Sequence, residues 1–283
     1  MARIGWLPDP HVYPGKQAGP GRRLTSDIVS LFEEYGIERL YINGDLASGH
    51  GSFDDSGYEH TPPEYYDRFW KLVDDSGYGA YIVCTPGNHD VPLQHFLASD
   101  DRARLRYKEV HDGVTVLMMN TVGPGWVSGS PECGYGWTNG YVPYGDLQWL
   151  DDELSAAGDD AKVVYFHHHA WLTPGDPLAS APTDTQSIDQ LYWVCRNYRA
   201  IHDVLSSYEK VVCPQGHTAQ YAAEGSSHVD GVTYLYKKHY ADIRPDTAPV
   251  TTYAYLDIGR DQCTATTVDH SSGTENTILD VSF

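Results

Sequence analysis

Tyr81-Ile-Val-Cys-Thr-Pro-Gly-Asn-His-Asp90 is an apolar strand that runs into a tight turn carrying an amide, an imidazole and a carboxylate side by side. The β-branched and aromatic residues from Tyr81 to Val83 suit a buried strand, and Pro86-Gly87 turns the backbone at its carboxyl end. Taken alone, Asn88-His89-Asp90 is equally well an Asx-type turn whose side chains satisfy local backbone groups. The other strands of the chain decide between these readings.

Four more apolar strands end in the residue types that bind metals. Arg3 to Leu7 leads into Asp9-Pro10-His11, and Arg39 to Ile42 into Asn43-Gly44-Asp45. Lys162 to Phe166 leads into His167-His168-His169, and Lys210 to Cys213 into Gly216-His217. In an α/β sheet the carboxyl ends of neighbouring strands line one crevice, so ligands placed there converge. The ordered set D-x-H, G-D, G-N-H-D, H and G-H, between Asp9 and His217, resembles the calcineurin-like metallophosphoesterase superfamily.

At 283 residues the chain can bury a large core, and without a linker to divide it, 1–283 reads as one α/β domain. Five scattered cysteines with no C-x-x-C pair, no apolar leader and no apolar run near eighteen residues point to a soluble cytoplasmic protein with reduced thiols. The formal charge of −20 argues against general affinity for nucleic-acid backbones and against long polyanionic substrates. Such an excess of acid also suits high salt, where screening relieves self-repulsion.

Along the chain, the glycine- and proline-rich stretch 14–21 reads as a loop. Leu24, Ile28, Leu31, Phe32 and Tyr35 then share a helical face, with Thr25, Ser26 or Asp27 as cap and Gly36 as stop. Tyr66, Phe69, Trp70 and Val73 mark a second helix ended by Gly77. The β-α-β spacing implies parallel strands. Asp112-Gly113 joins two strand-like runs as a hairpin. The loop 122–145 alternates glycine with large rings, which suggests either a flap beside the crevice or rings that pack the loop onto the core. Leu147, Leu150 and Leu154 give a helix opened by Asp146 and closed by Gly158. A long helix is expected at 187–208, with Ser187 and Gln190 as a capping box and Cys195 on its apolar face. Hairpins across Val229–Tyr236, Val250–Ile258 and Cys263–Val268 are expected to build out a second sheet.

The resemblance implies a four-layer αββα sandwich of two mixed β-sheets flanked by helices, with the site at the rim between the sheets. The candidate ligands are carboxylates, imidazoles and an amide, with no thiolate, which suits Mn, Fe, Zn or Co. Carried over from the family, two divalent metal ions would be bridged by Asp45 and a water. Asp9 and His11 would hold the first ion, and Asn88, one histidine of the triplet and His217 the second. In relatives with paired histidines the one farther from the strand is the ligand, which selects His168 and leaves His167 and His169 open. His89 would hydrogen-bond the phosphate and protonate the leaving oxygen, while Asp90 orients that imidazole or only closes the turn. The family often carries G-H-x-H at the last motif. Here Ala219 replaces the second histidine, which weakens the first metal.

The expected activity is metal-dependent hydrolysis of a small phosphodiester or phosphomonoester, with Asp45 and His89 as its catalytic residues. Nucleotide pyrophosphate hydrolysis is a second reading, and a degenerate member that binds metal and phosphate without turnover a third. Loops 46–65, 122–145 and 170–186 would select the leaving group.

Overall fold

The structure is a computed structural model that describes residues 1–12, 19–47, 61–122, 140–169, 195, 197–217, 224–237, 240 and 252–282. β1 (Ala2–Trp6), β2 (Arg39–Asn43) and β3 (Ile82–Thr85) are parallel neighbours. α1 (Gly19–Glu33) and α2 (Pro63–Asp75) connect them in sequence. Their sheet continues antiparallel through β10 (Thr252–Ile258), β11 (Gln262–Asp269) and β12 (Glu275–Ser282), in the order β12-β11-β10-β1-β2-β3. The second sheet holds β4 (Arg106–His111), β5 (Val114–Met119), β6 (Lys162–Phe166), β7 (Val211–Pro214), β8 (Gly225–Val229) and β9 (Val232–Tyr236), in the order β4-β5-β6-β7-β9-β8. In it β5, β6, β7 and β9 run parallel, while β4 and β8 pair antiparallel at the edges.

Side-chain alternation sorts each strand between two layers. Ile4, Trp6 and Tyr41 of the first sheet meet Met118, Val164, Phe166 and Leu235 of the second, and Tyr41 stacks on Phe166 at 5.0 Å. The opposite face of β2, Leu40 and Ile42, packs under Leu24, Ile28 and Leu31 of α1 and Phe69 of α2. Val163 and Tyr165 of β6 face outward onto Leu150 and Leu154 of α4 (Tyr144–Ala157) and Ile201 and Leu205 of α5 (Tyr198–Leu205). The result is the four-layer αββα sandwich, and because strands such as β2 and β6 are buried on both faces, they read as unbroken apolar runs.

Several local expectations need correcting. α1 begins six residues before Thr25, because Pro20 is tolerated in a first helical turn where its missing N–H has no partner to lose. Thr25 and Asp27 therefore lie inside the helix, where Thr25 bonds the Leu72 carbonyl at 2.8 Å and Asp27 accepts the Tyr240 hydroxyl. α4 likewise starts at Tyr144 after Pro143, with Asp146 in its first turn. No helix runs through Cys195, which bridges Gly140 in extended fashion. Asn197 then donates to the Val142 carbonyl and accepts the Val142 N–H, a bond pair to a segment 55 residues away that delays the helix to Tyr198. Ser187 and Gln190 lie outside the described residues. The β8–β9 hairpin joins the second sheet as expected, but β10 and β11 extend the first. Their alternation reveals a buried face without revealing which sheet supplies it. The short helix α3 (Leu93–Ser99) and β12 had no strong sequence signal.

Both Asp-Gly hairpins form as read, with left-handed backbone at Asp112 and Gly113 and at Asp230 and Gly231. Cys84, Cys195, Cys213 and Cys263 are buried free thiols, and Cys133 lies outside the described residues. Among the described residues no helix is long and apolar enough to cross a membrane.

Candidate metal centre

The loops after β1, β2, β3, β6 and β7 bring Asp9, His11, Asp45, Asn88, His89, His168 and His217 to one rim, and all seven are buried. Asn43, at the end of β2, fastens the two sheets together there. Its Oδ1 accepts the Trp6 indole N–H at 3.0 Å, and its Nδ2 donates to the His167 carbonyl at 2.7 Å. Its own carbonyl lies 2.9 Å from His168 Nδ1. A carbonyl can only accept, so Nδ1 carries a proton and His168 turns Nε2 toward the rim.

Around that Nε2 stand Asn88 Oδ1 at 3.0 Å, His217 Nδ1 at 3.2 Å and Asp45 Oδ2 at 3.4 Å. The amide oxygen and the carboxylate only accept, and the two imidazole nitrogens face each other across the space of one proton. So many lone pairs converging with so few hydrogens is an environment built for a cation. Ligand atoms of Asp45, His168 and His217 all lie within 4.8 Å of one another, as do those of His11, Asp45 and His89. Asp45 belongs to both groups, and its Oδ2 is 3.5 Å from His11 Nε2. His11 and His89 meet edge to face at 5.0 Å. Asp9 stands against His168 and His217, its two oxygens accepting the His217 N–H at 3.1 Å each and one of them 3.8 Å from His168 Nδ1.

The electrostatics follow from the packing. Burial disfavours a charged Asp45, but His168, His89 and His11 more than offset it and hold the carboxyl well below its usual range. Burial likewise disfavours a charged His168, yet Asp45 and Asp9 raise it to about 9. In the metal-free protein an imidazolium proton thus supplies the positive charge for which the acceptors are arranged. Burial pushes His167 and His169 well down, toward the neutral form. Asp90, raised to about 7 by burial and by Asp45, takes the Gly87 N–H at 2.8 Å and the Leu46 N–H at 3.1 Å. It closes its own turn and braces the Asp45 loop.

Strain concentrates at this rim. Asp9, His11, Asp45 and His217 have φ of 57°, 43°, 52° and 66°, a left-handed region that costs a non-glycine residue roughly 1–2 kcal/mol. Glycines make the close approach feasible. A Cβ on Gly87 would lie 2.3 Å from Asp45 Oδ1, and one on Gly44 would lie 2.3 Å from His168 Nδ1.

Of the triplet, only His168 enters the Asp45 cluster; His167 stacks on Tyr165 at 5.2 Å, on the alternate face. His169 Nδ1 instead lies 2.8 Å from the Thr121 hydroxyl. Asn43 and Thr121 were not singled out by sequence. The Asn-Gly-Asp run displays Asn43 without its three partners, and nothing near Thr121 marks it. Ala219, and the loop segments 48–60, 123–139 and 170–186, lie outside the described residues.

A family model described as calcineurin-like phosphoesterase matches residues 2–221. Among solved structures, PhoD is 10% identical with a TM-score of 0.57, the alignment covering 98% of this chain and 68% of PhoD. Zinc-bound Vps29 from Entamoeba histolytica is 12% identical at a TM-score of 0.45, covering 99% of this chain and 98% of Vps29. An uncharacterised Streptococcus pneumoniae protein described as a predicted phosphoesterase is 12% identical at 0.40, covering 100% of this chain and 99% of its own. No curated protein matches the chain.

Proposed function

Because the chain belongs to the calcineurin-like phosphoesterase family, whose members imply divalent metal ions, we propose that it hydrolyses a small phosphodiester or phosphomonoester at the rim centred on Asp45. The observation that carries this reading is the sharing of one buried carboxylate between two ligand groups, His11–Asp45–His89 and Asp45–His168–His217. Asp45 would bridge two cations. Asn88, His168 and His217 would hold one of them, and His11 with Asp9 the other. The oxygen and nitrogen ligands suit Mn, Fe or Zn, with the choice among these left to loading experiments.

When bound, paired cations of this kind lower the pKa of a shared water and neutralise charge on a phosphoryl oxygen. The chain's own residues supply the rest. The Asn43 carbonyl holds the His168 Nδ1–H, so Nε2 is the nitrogen that would face a metal once the metal displaces its proton. The His89 backbone N–H donates to Asp45 Oδ1 at 2.8 Å, which orients the carboxylate, while its imidazole is the proton donor for the leaving oxygen. The formal charge of −20 disfavours long polyanions and leaves small phosphorylated molecules as the substrate class.

A second reading, metal and phosphate binding without turnover, is favoured by Ala219, where many family members carry a histidine. Hydrolysis of bis-p-nitrophenyl phosphate and p-nitrophenyl phosphate by protein loaded with Mn, Fe or Zn separates the two. Turnover of either substrate supports the enzyme, and the diester-to-monoester ratio narrows the substrate. Metal retained with no turnover under any loading would select the binder.

A further inference from the structure

His169, like His167, has no part in the proposed chemistry, yet it is wholly buried with its ring beside those of His168 and His217. Its ring lies 4.8 Å from that of His217 and meets that of His168 edge-on at 5.0 Å. Gly140 backs it so closely that a Cβ there would lie 2.6 Å from His169 Cγ, so the ring is held in place.

Thr121 settles where its proton sits. The threonine oxygen accepts the His169 backbone N–H at 3.1 Å and lies 2.8 Å from His169 Nδ1. A hydroxyl has one hydrogen, and among the described residues Nδ1 is the acceptor available to it. The hydroxyl therefore donates to Nδ1, and the imidazole proton resides on Nε2. That Nε2 is buried and, among the described residues, has no hydrogen-bond partner. A buried, rigid, unpaired N–H is costly to maintain unless something arrives to accept from it. Among the described residues, the neighbouring Asp45, His168 and His217 are arranged for cations and leave this N–H free for an incoming acceptor, and the oxygens of a bound phosphoryl group have that chemistry.

We propose that His169 Nε2–H donates a hydrogen bond to a non-bridging phosphoryl oxygen of the substrate, in a tautomer enforced by Thr121, so that His169 is a second substrate-orienting imidazole beside His89. This rests on the phosphoester reading of the site. A protonated Nε2 cannot bind a cation, which separates the role from that of a metal ligand.

The test uses inorganic phosphate as probe. Zinc-loaded wild type, H169Q, H169F, T121S and T121V are compared by isothermal titration calorimetry, with metal per chain measured on each sample. Glutamine places an N–H near the position of Nε2, whereas phenylalanine keeps the shape without a donor. H169F and T121V should bind phosphate at least about 10-fold more weakly, with H169Q and T121S close to wild type and metal content unchanged throughout. If H169F does not fold, the T121S and T121V pair decides. Equal affinity across the series, no rescue by glutamine, loss of metal from H169F, or no measurable phosphate binding by wild type would overturn the proposal. A wild type that binds phosphate but turns over no phosphoester would defeat the enzymatic reading alone, because the phosphate series still reads the role of His169.

Discussion

Asp112 and Asp230 hold left-handed backbone for a local reason, whereas Asp9, His11, Asp45 and His217 do so for a remote one. The first two precede Gly113 and Gly231 in two-residue hairpin turns, where the twist of the strands demands that conformation and aspartate tolerates it. They are decided within four residues of chain. The rim residues have no such turn to serve. They are held by bonds between distant loops, such as the His217 N–H on Asp9, the His89 N–H on Asp45 and the Leu46 N–H on Asp90. Strain that is spread over the three loops after β1, β2 and β7 and held by bonds between distant segments is what a preorganised site requires.

Glycine substitutions break this comparison most sharply. Gly87→Ala drives a methyl into Asp45 Oδ1 and within 2.4 Å of the Asp45 nitrogen, and neither can retreat without moving the ligand cluster. Steady-state hydrolysis should fall about 100-fold, since a displacement near 1 Å is enough for that. Gly113→Ala in the hairpin meets nothing within 4 Å and pays only for its φ of +78°. It should lower stability by about 1–2 kcal/mol in urea titrations and leave activity alone. Comparable losses of activity in the two variants would erase the distinction between remote and local strain.

A smaller effect sharpens the electrostatic half of the comparison. His168 is held at about 9 against its ordinary 6.5, so the stability it contributes is complete below pH 6.5 and is lost as pH rises through 9. Lys237, lowered by burial to about 7, slopes the other way, so the informative quantity is the difference between wild type and H168Q. In metal-free protein the difference in Tm should shrink from pH 6.5 to 9. With metal loaded it should grow over that range, because a metal ligand must be neutral. A difference independent of pH in the metal-free state would mean that Asp45 and His168 do not share charge as the distances indicate.

How far the sequence could be read follows the same division. The strand-end motifs were legible because each is a short run of ligand types after a short apolar run, and the parallel β-α-β units because helix and strand periods alternate at regular spacing. The Asp-Gly turns were legible for the local reason given above. What escaped was whatever depends on a partner far along the chain. β10 and β11 show a buried face, but only pairing with β1 assigns them to the first sheet. Asn197 reads as part of a helix until its bonds to Val142 are seen. Asn43, which touches Trp6, His167 and His168, is one polar residue among many in sequence. The start of α1 was misplaced because Gly19-Pro20-Gly21 resembles a loop as closely as it does a first helical turn.

Metal stoichiometry, determined by elemental analysis on wild type and Asp45→Asn after loading with Mn, Fe or Zn, bears most directly on the shared carboxylate. Two divalent ions per chain in wild type, with at least one lost from Asp45→Asn and hydrolysis down by about 1,000-fold, is the expected result. Equal metal content in the two proteins, or an Asp45→Asn variant as active as wild type, would contradict a centre built around Asp45.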